Sequence, residues 1–175
     1  LCSGITIRPF VTVMGDWQNP DEGTDYGTVI IADVPSADAY NPALFNVGGS
    51  AGAVGLTIWY PNQSIDNVVP YPYTFYIDGY GANYMLETIR NCTMLNSYRG
   101  IGACTEWKND KYQCHEMLTV ENVKGTCLYE GMSNYNSADV DTVKSLHISG
   151  RYWAQAGEKY NAPDLTALNE YTKAN

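Results

Sequence analysis

Ile5-Thr6-Ile7-Arg8-Pro9-Phe10-Val11-Thr12-Val13 sets the terms for the fold. Ile5, Ile7, Val11 and Val13 share one face of an extended segment, and Thr6, Arg8 and Thr12 share the other. Such period-two alternation marks a strand buried on one side. Pro9 sits in the middle with no N–H to give to a ladder, so the segment reads as an edge strand or an exchange arm that pairs on one side only. Outward from it the β signature continues. Residues 28–34 form an apolar run ended by Pro35, and 53–60 form a buried run ended by Pro61. Residues 68–77 are aromatic and interrupted by Pro70 and Pro72, and Asp78-Gly79 is the strongest hairpin-turn signal in the chain. Residues 83–95, 112–120 and 126–129 read as further strands. Helix signals come late: Ser137 suits a cap for 138–146, and Asn161 with Pro163 suits the start of 163–171. No repeat, heptad or low-complexity block stands out.

The composition agrees. Of 175 residues, 45% are hydrophobic and 17% charged, which suits one globular domain over 1–175. Fifteen Tyr, sixteen Gly, fifteen Asn and fourteen Thr supply pleated surfaces and positive-φ turns. The net charge of -9 repels phosphate backbones and anionic lipid, so neither nucleic acid nor a membrane surface is an expected partner. No apolar run approaches the roughly 18 residues of a spanning helix, so membrane insertion is not expected. The start, Leu1-Cys2-Ser3-Gly4, has no leader character, which is the expectation for a secreted chain whose signal has been removed.

Five cysteines and no C-x-x-C favour disulfides in an oxidising compartment over a zinc or thioredoxin-like site. Cys92, Cys104, Cys114 and Cys127 cluster, and three pairings are open to them. The preferred one is 92–104 with 114–127, with Ser97-Tyr98-Arg99-Gly100 as the turn of a small hairpin. Cys2 is then a free or intermolecular thiol.

Catalytic signals are sparse. Gly48-Gly49-Ser50-Ala51-Gly52 matches G-x-S-x-G, but a nucleophile elbow needs a helix next, and 53–59 reads as a strand. His115 and His147 form no spaced metal pair, and Cys114-His115 point to opposite faces of a strand. Asp16, Asp21 and Asp25 crowd one loop and are tentative calcium ligands, since hard cations take several oxygens. Asn62-Gln63-Ser64 and Asn91-Cys92-Thr93 are glycosylation sequons, Asn62 in the better turn. The aromatics from Trp59 to Tyr84 suit three roles: core, subunit interface, or a sugar-stacking platform.

Trp107-Lys108-Asn109-Asp110-Lys111-Tyr112-Gln113-Cys114 resembles the Trp-Asn-Asp…Cys run of C-type lectin domains. A Lys is inserted after the Trp, Cys104 lies too close upstream, and the N-terminal half of that fold has no counterpart. No lectin calcium site is carried over.

The expectation is therefore a mostly β, sandwich or barrel-like single domain with one or two short helices, stapled by disulfides. The expected function is a non-enzymatic, secreted assembly subunit (fibre, pilus-like or surface-layer protein). It would polymerise with copies of itself through Ile5, Ile7, Val11 and Val13 and a face of Tyr71, Tyr73 and Phe75. The alternative is a secreted carbohydrate-binding or adhesive module using the aromatic platform, with calcium as its optional ion and glycans as partners.

Overall fold

The computed structural model describes residues 4–17, 27–35, 43–63, 67–77, 83–103, 114–134, 142–144 and 146–149. They are mostly strands, and no helix occurs among them. In chain order the strands are β1 (Ile5–Ile7), β2 (Thr12–Met14), β3 (Val29–Ile31), β4 (Phe45–Val47), β5 (Gly52–Val54) and β6 (Thr57–Trp59). There follow β7 (Tyr73–Ile77), β8 (Asn83–Met85), β9 (Thr88–Ala103), β10 (Cys114–Glu116), β11 (Thr119–Asn134), β12 (Thr142–Val143) and β13 (Leu146–Ser149).

Every strand-to-strand pairing is parallel. One isolated antiparallel bridge joins Trp17 and Gly27. The pairings define three faces. On the first, β1, β4, β7, residues 99–103 of β9 and the end of β11 stack in that order. On the second, the stack is β2, β5, the start of β9, the start of β11, then β12. On the third it is β3, β6, the middle of β9, the middle of β11, then β13. Among the described residues the chain visits the faces in the same cycle five times, so they wind as a parallel β-solenoid of five coils. β9 and β11, each of 16 residues, run across two corners without a break.

The core is a set of inward columns, one residue per coil. Ile5, Phe45, Phe75, Ile101 and Met132 form one. Within it the Phe45 and Phe75 rings stack with centroids 5.3 Å apart. Val13, Ala53, Ile89, Val120 and Val143 form the second face's column. Ile30, Ile58, Met94 and Gly125 form the third face's column. Members of the middle coils are fully buried because a coil lies on either side.

The corners carry the backbone's unusual conformations. Phe10, Ser50, Leu86 and Met117, each two residues before a second-face strand, have φ of 66, 55, 61 and 58°. Their amides donate to Gly49, Met85 and Glu116 carbonyls of the next coil, from Phe10, Ser50 and Leu86 in turn. At the next corner Gly55, Asn91 and Asn122 have φ of 74, 51 and 50°. Asn tolerates this left-handed region better than other side-chain-bearing residues. Asn122 Nδ2 donates to Asn91 Oδ1 at 2.9 Å, so the corner is also a side-chain ladder. Gly15 and Gly55 meet so closely that a Cβ on Gly55 would run into the Gly15 carbonyl oxygen.

Several expectations are corrected here. Of the expected sandwich or barrel-like forms, the sheet is nearly closed and barrel-like, but it advances coil by coil with parallel strands and does not form two facing sheets. The segment 5–13 is not one strand: Phe10 turns a corner, and β1 and β2 lie on different faces. Asp78 and Gly79, the expected hairpin turn, lie outside the described residues, and both edges of β7 are taken by β4 and β9. Ser97–Gly100 is a continuous part of β9 and no turn. Where a helix was expected over 138–146, β12 and the start of β13 pair with β11 instead. The expected helix at 163–171 lies outside the described residues.

Among the described residues the disulfide staple is not found. Cys92 and Cys127 are buried free thiols, so neither 92–104 nor 114–127 is formed. Cys92 occupies an inward column with Val123 and Leu146, where a thiol serves as a small apolar group. It sits 3.6 Å from the Ala53 carbonyl and 3.4 Å from that of Arg90. Cys127 lies 3.1 Å from Ser97 Oγ. Burial pushes both thiols up to about 11. Cys2 and Cys104 lie outside the described residues, and Cys114 is described only as part of β10.

Candidate functional site

The third-to-first-face corner differs along the solenoid. In the first two coils it is opened by the long connections 32–44 and 60–72, whereas β9 and β11 take it as continuous strand. Two register shifts allow this. Between Gly125 and Cys127, β9 holds the extra residue, and Asn96 there has φ of 58°. Between Cys127 and Glu130, β11 holds it, so Leu128 and Tyr129 together face Tyr98. Bulges of this kind re-aim side chains.

The side chain re-aimed is Tyr129, which is 65% exposed. Its ring stacks on that of Tyr98, with centroids 5.0 Å apart and planes 15° from parallel. The Arg99 guanidinium lies 4.9 Å from the Tyr98 centroid and 4.8 Å from the Tyr129 centroid. It also donates at 3.4 Å to the Tyr71 carbonyl. Glu130 is the register partner of Arg99 and accepts a hydrogen bond on Oε2 from the Tyr73 hydroxyl. Two half-buried groups of opposite charge thus flank an exposed aromatic face.

The described side chains of the aromatic stretch singled out in the sequence are core, while Tyr80 lies outside the described residues and Tyr84 is described only by its place in β8. Trp59, Tyr60, Tyr71, Tyr73, Phe75 and Tyr76 are all buried. Phe75 points inward, while Tyr73 and Tyr76 stack on each other with centroids 5.6 Å apart. Tyr60 tilts against Tyr71 at 5.0 Å and pairs through its hydroxyl with Thr74 Oγ1 at 2.8 Å. Burial raises the Tyr60 and Tyr71 hydroxyls above their ordinary range. Tyr71, Tyr73 and Phe75 therefore present no outer face, either to a neighbour or to a sugar. Of the N-terminal set, Ile7 is buried, Ile5 and Val13 are half-buried against the core, and Val11 is exposed.

Ser50 sits on a strained left-handed turn, but β5 follows it and no helix does. Its hydroxyl donates to the Met85 carbonyl at 2.9 Å, and its amide donates to Glu87 Oε1 at 3.3 Å. The hydroxyl is thus held by a backbone acceptor and not by a base. His115 is buried in β10, while of His147 only its place in β13 is described. The Asp16 amide takes a bond to Thr28 Oγ1 at 2.9 Å, and Asp21 and Asp25 lie outside the described residues. Among the described residues no three His, Cys, Asp or Glu side chains stand together as a metal would need. Asn62 is exposed at its turn. Asn91 is half-buried with its amide oxygen held by Asn122, and the buried Thr93 hydroxyl of the same sequon accepts from the Trp17 indole at 2.9 Å.

Compared with known protein families, with curated proteins and with solved structures, the chain matches none.

The Tyr98–Tyr129 site escaped the sequence reading because its members are 31 residues apart. The same interval separates Thr88 from Thr119, Asn91 from Asn122 and Arg99 from Glu130. Thr88-Ile89-Arg90-Asn91-Cys92 over Thr119-Val120-Glu121-Asn122-Val123 is the signal that exposes it.

Proposed function

We propose that the chain is a non-enzymatic extracellular assembly subunit, a unit of a fibre, pilus-like or surface-layer structure, joined to further copies through its first coil. One observation carries the reading. Among the described residues β1, β2 and β3 each pair on one edge only, with β4, β5 and β6. Beside those open edges Phe10 is 85% exposed, Met14 72% and Val11 46%. An open row of backbone donors and acceptors is a template for another strand. Apolar side chains around it favour a partner that excludes water. At the other end of the described residues, β12 and β13 pair, among those residues, only with β11. One copy's last coil on the next copy's first coil is a head-to-tail contact, which builds open filaments. The extracellular placement draws support from the Tyr-, Gly-, Asn- and Thr-rich composition, and no longer from a disulfide framework.

The test is sedimentation velocity over a concentration series, for the unaltered chain and for a Phe10→Asp/Met14→Lys variant. Concentration-dependent polymers are expected for the first and monomers with an unchanged β circular-dichroism spectrum for the second. A monomer at every concentration for the unaltered chain sinks the reading. Dissociation by reductant alone would move the joint to Cys2.

A further inference from the structure

We infer that Tyr98, Arg99, Tyr129 and Glu130 form a binding site for a neutral saccharide. The first support is the exposed ring. A tyrosine 65% exposed, backed by a second ring at 5.0 Å, offers a firm apolar face of the size of a pyranose. The stacked partner fixes its orientation, so little side-chain freedom remains to be lost on binding.

The second support is the pair of charged groups beside it. Among the described residues no carboxylate forms an ion pair with Arg99, although Glu130 is its register partner. The guanidinium lies instead against the two rings and reaches one carbonyl, so several of its five N–H donors are uncommitted. Glu130 gives one oxygen to Tyr73 and keeps the other as an acceptor. A rigid donor fork and a carboxylate on adjacent coils, about 4.8 Å apart in backbone, suit neighbouring hydroxyls of one ring. One hydroxyl accepts from Arg99 while another donates to Glu130.

The ligand class follows from charge. The site's own formal charge is zero, with Glu130 beside any substituent that Arg99 takes, and the chain carries -9 overall. Both disfavour an acidic sugar. The bulge between Cys127 and Glu130 belongs to the argument too, since without the extra residue Tyr129 would not face Tyr98. This site is separate from the first-coil edge and does not depend on the assembly reading.

Affinity electrophoresis and calorimetry with the full chain against neutral hexasaccharides (cellohexaose, xylohexaose, mannohexaose, laminarihexaose) and against hexagalacturonate test the inference. At least one neutral hexasaccharide is expected to bind, and none of them more weakly than hexagalacturonate. Tyr129→Ala is expected to weaken that binding at least tenfold with an unchanged thermal midpoint, Tyr129→Phe to retain it, and Glu130→Gln and Arg99→Gln each to weaken it. Three results would overturn the inference: no neutral sugar bound, tighter binding of hexagalacturonate, or a Tyr129→Ala variant that binds like the unaltered chain.

Discussion

Asn91 and Asn122 show how single residues hold a corner of this solenoid. Each must occupy a left-handed backbone region, and together they close a side-chain hydrogen bond across coils. The two demands separate by substitution. Asn122→Gly keeps the backbone freedom and loses the bond, a cost of about 0.5–1.5 kcal/mol. Asn122→Val loses the bond and also meets the left-handed penalty, roughly 1–2 kcal/mol more. Urea unfolding of the two variants should give that order, and equal losses would show that the backbone conformation contributes nothing. The buried thiols make a second residue-scale prediction. Cys92 and Cys127 ionise near 9 when unfolded and are pushed up to about 11 by burial. A raised value favours the neutral thiol in the fold, so its stabilisation is complete below pH 9 and is lost as pH rises towards 11. Unfolding free energy measured from pH 8 to 11 should fall, and a Cys92→Ala/Cys127→Ala variant should fall less.

At the level of elements, the column matters more than the strand. β4 and β7 are short, yet Phe45 and Phe75 sit under one another and fill the space between coils. Phe75→Ala would leave a cavity bounded by coils on both sides and should cost about 3–5 kcal/mol in denaturant unfolding. A loss under 1 kcal/mol would mean that neighbouring coils collapse to fill the gap. Strands within 28–34 and 68–77 were legible, each run containing one where apolar, β-branched or aromatic residues predict it. The run 53–60 is not one strand: Gly55 turns a corner between β5 and β6, which lie on different faces. Their partners were not. Alternation reports which side chains share a face, but says nothing on whether the next strand returns antiparallel or arrives a full coil later. Asp78-Gly79 illustrates the point, since its local turn preference competes with two β7 edges already filled by β4 and β9. The cysteines misled for a related reason. Clustering in sequence suggested proximity for bonding, whereas Cys92 and Cys127 are placed by columns that keep each among apolar or hydroxyl neighbours.

Across the whole molecule, each coil touches only the coils before and after it, so stability accumulates coil by coil. Among the described residues the outermost coils pair on one side, and Ile5, Val13 and Val143 are more exposed than Phe75, Ile89 and Val120 in the same columns. The candidate sites divide along that line. The first-coil edge belongs to the end of the stack, and the Tyr129 site belongs to its flank. Of the two, the sequence reading pointed only to the first-coil segment, and of the four residues it named there Ile5, Ile7 and Val13 pack inward while Val11 alone is exposed. The second depends on a 31-residue interval with few identical residues, and on a bulge that no local propensity announces.

That interval has a further meaning. Thr88 to Thr119, Met94 to Gly125 and Ile101 to Met132 all advance by 31 residues, one on each face, because the two register shifts between them cancel. A stretch of chain whose start and end share one register on all three faces repeats that backbone register. A tandem copy of it would keep the pairing on every face, but would set Met94 where Gly125 now lies, a position at which an added Cβ meets the Met94 carbonyl oxygen at 2.9 Å. The fold thus has a built-in gauge of length, extendable by about 4.8 Å per copied unit.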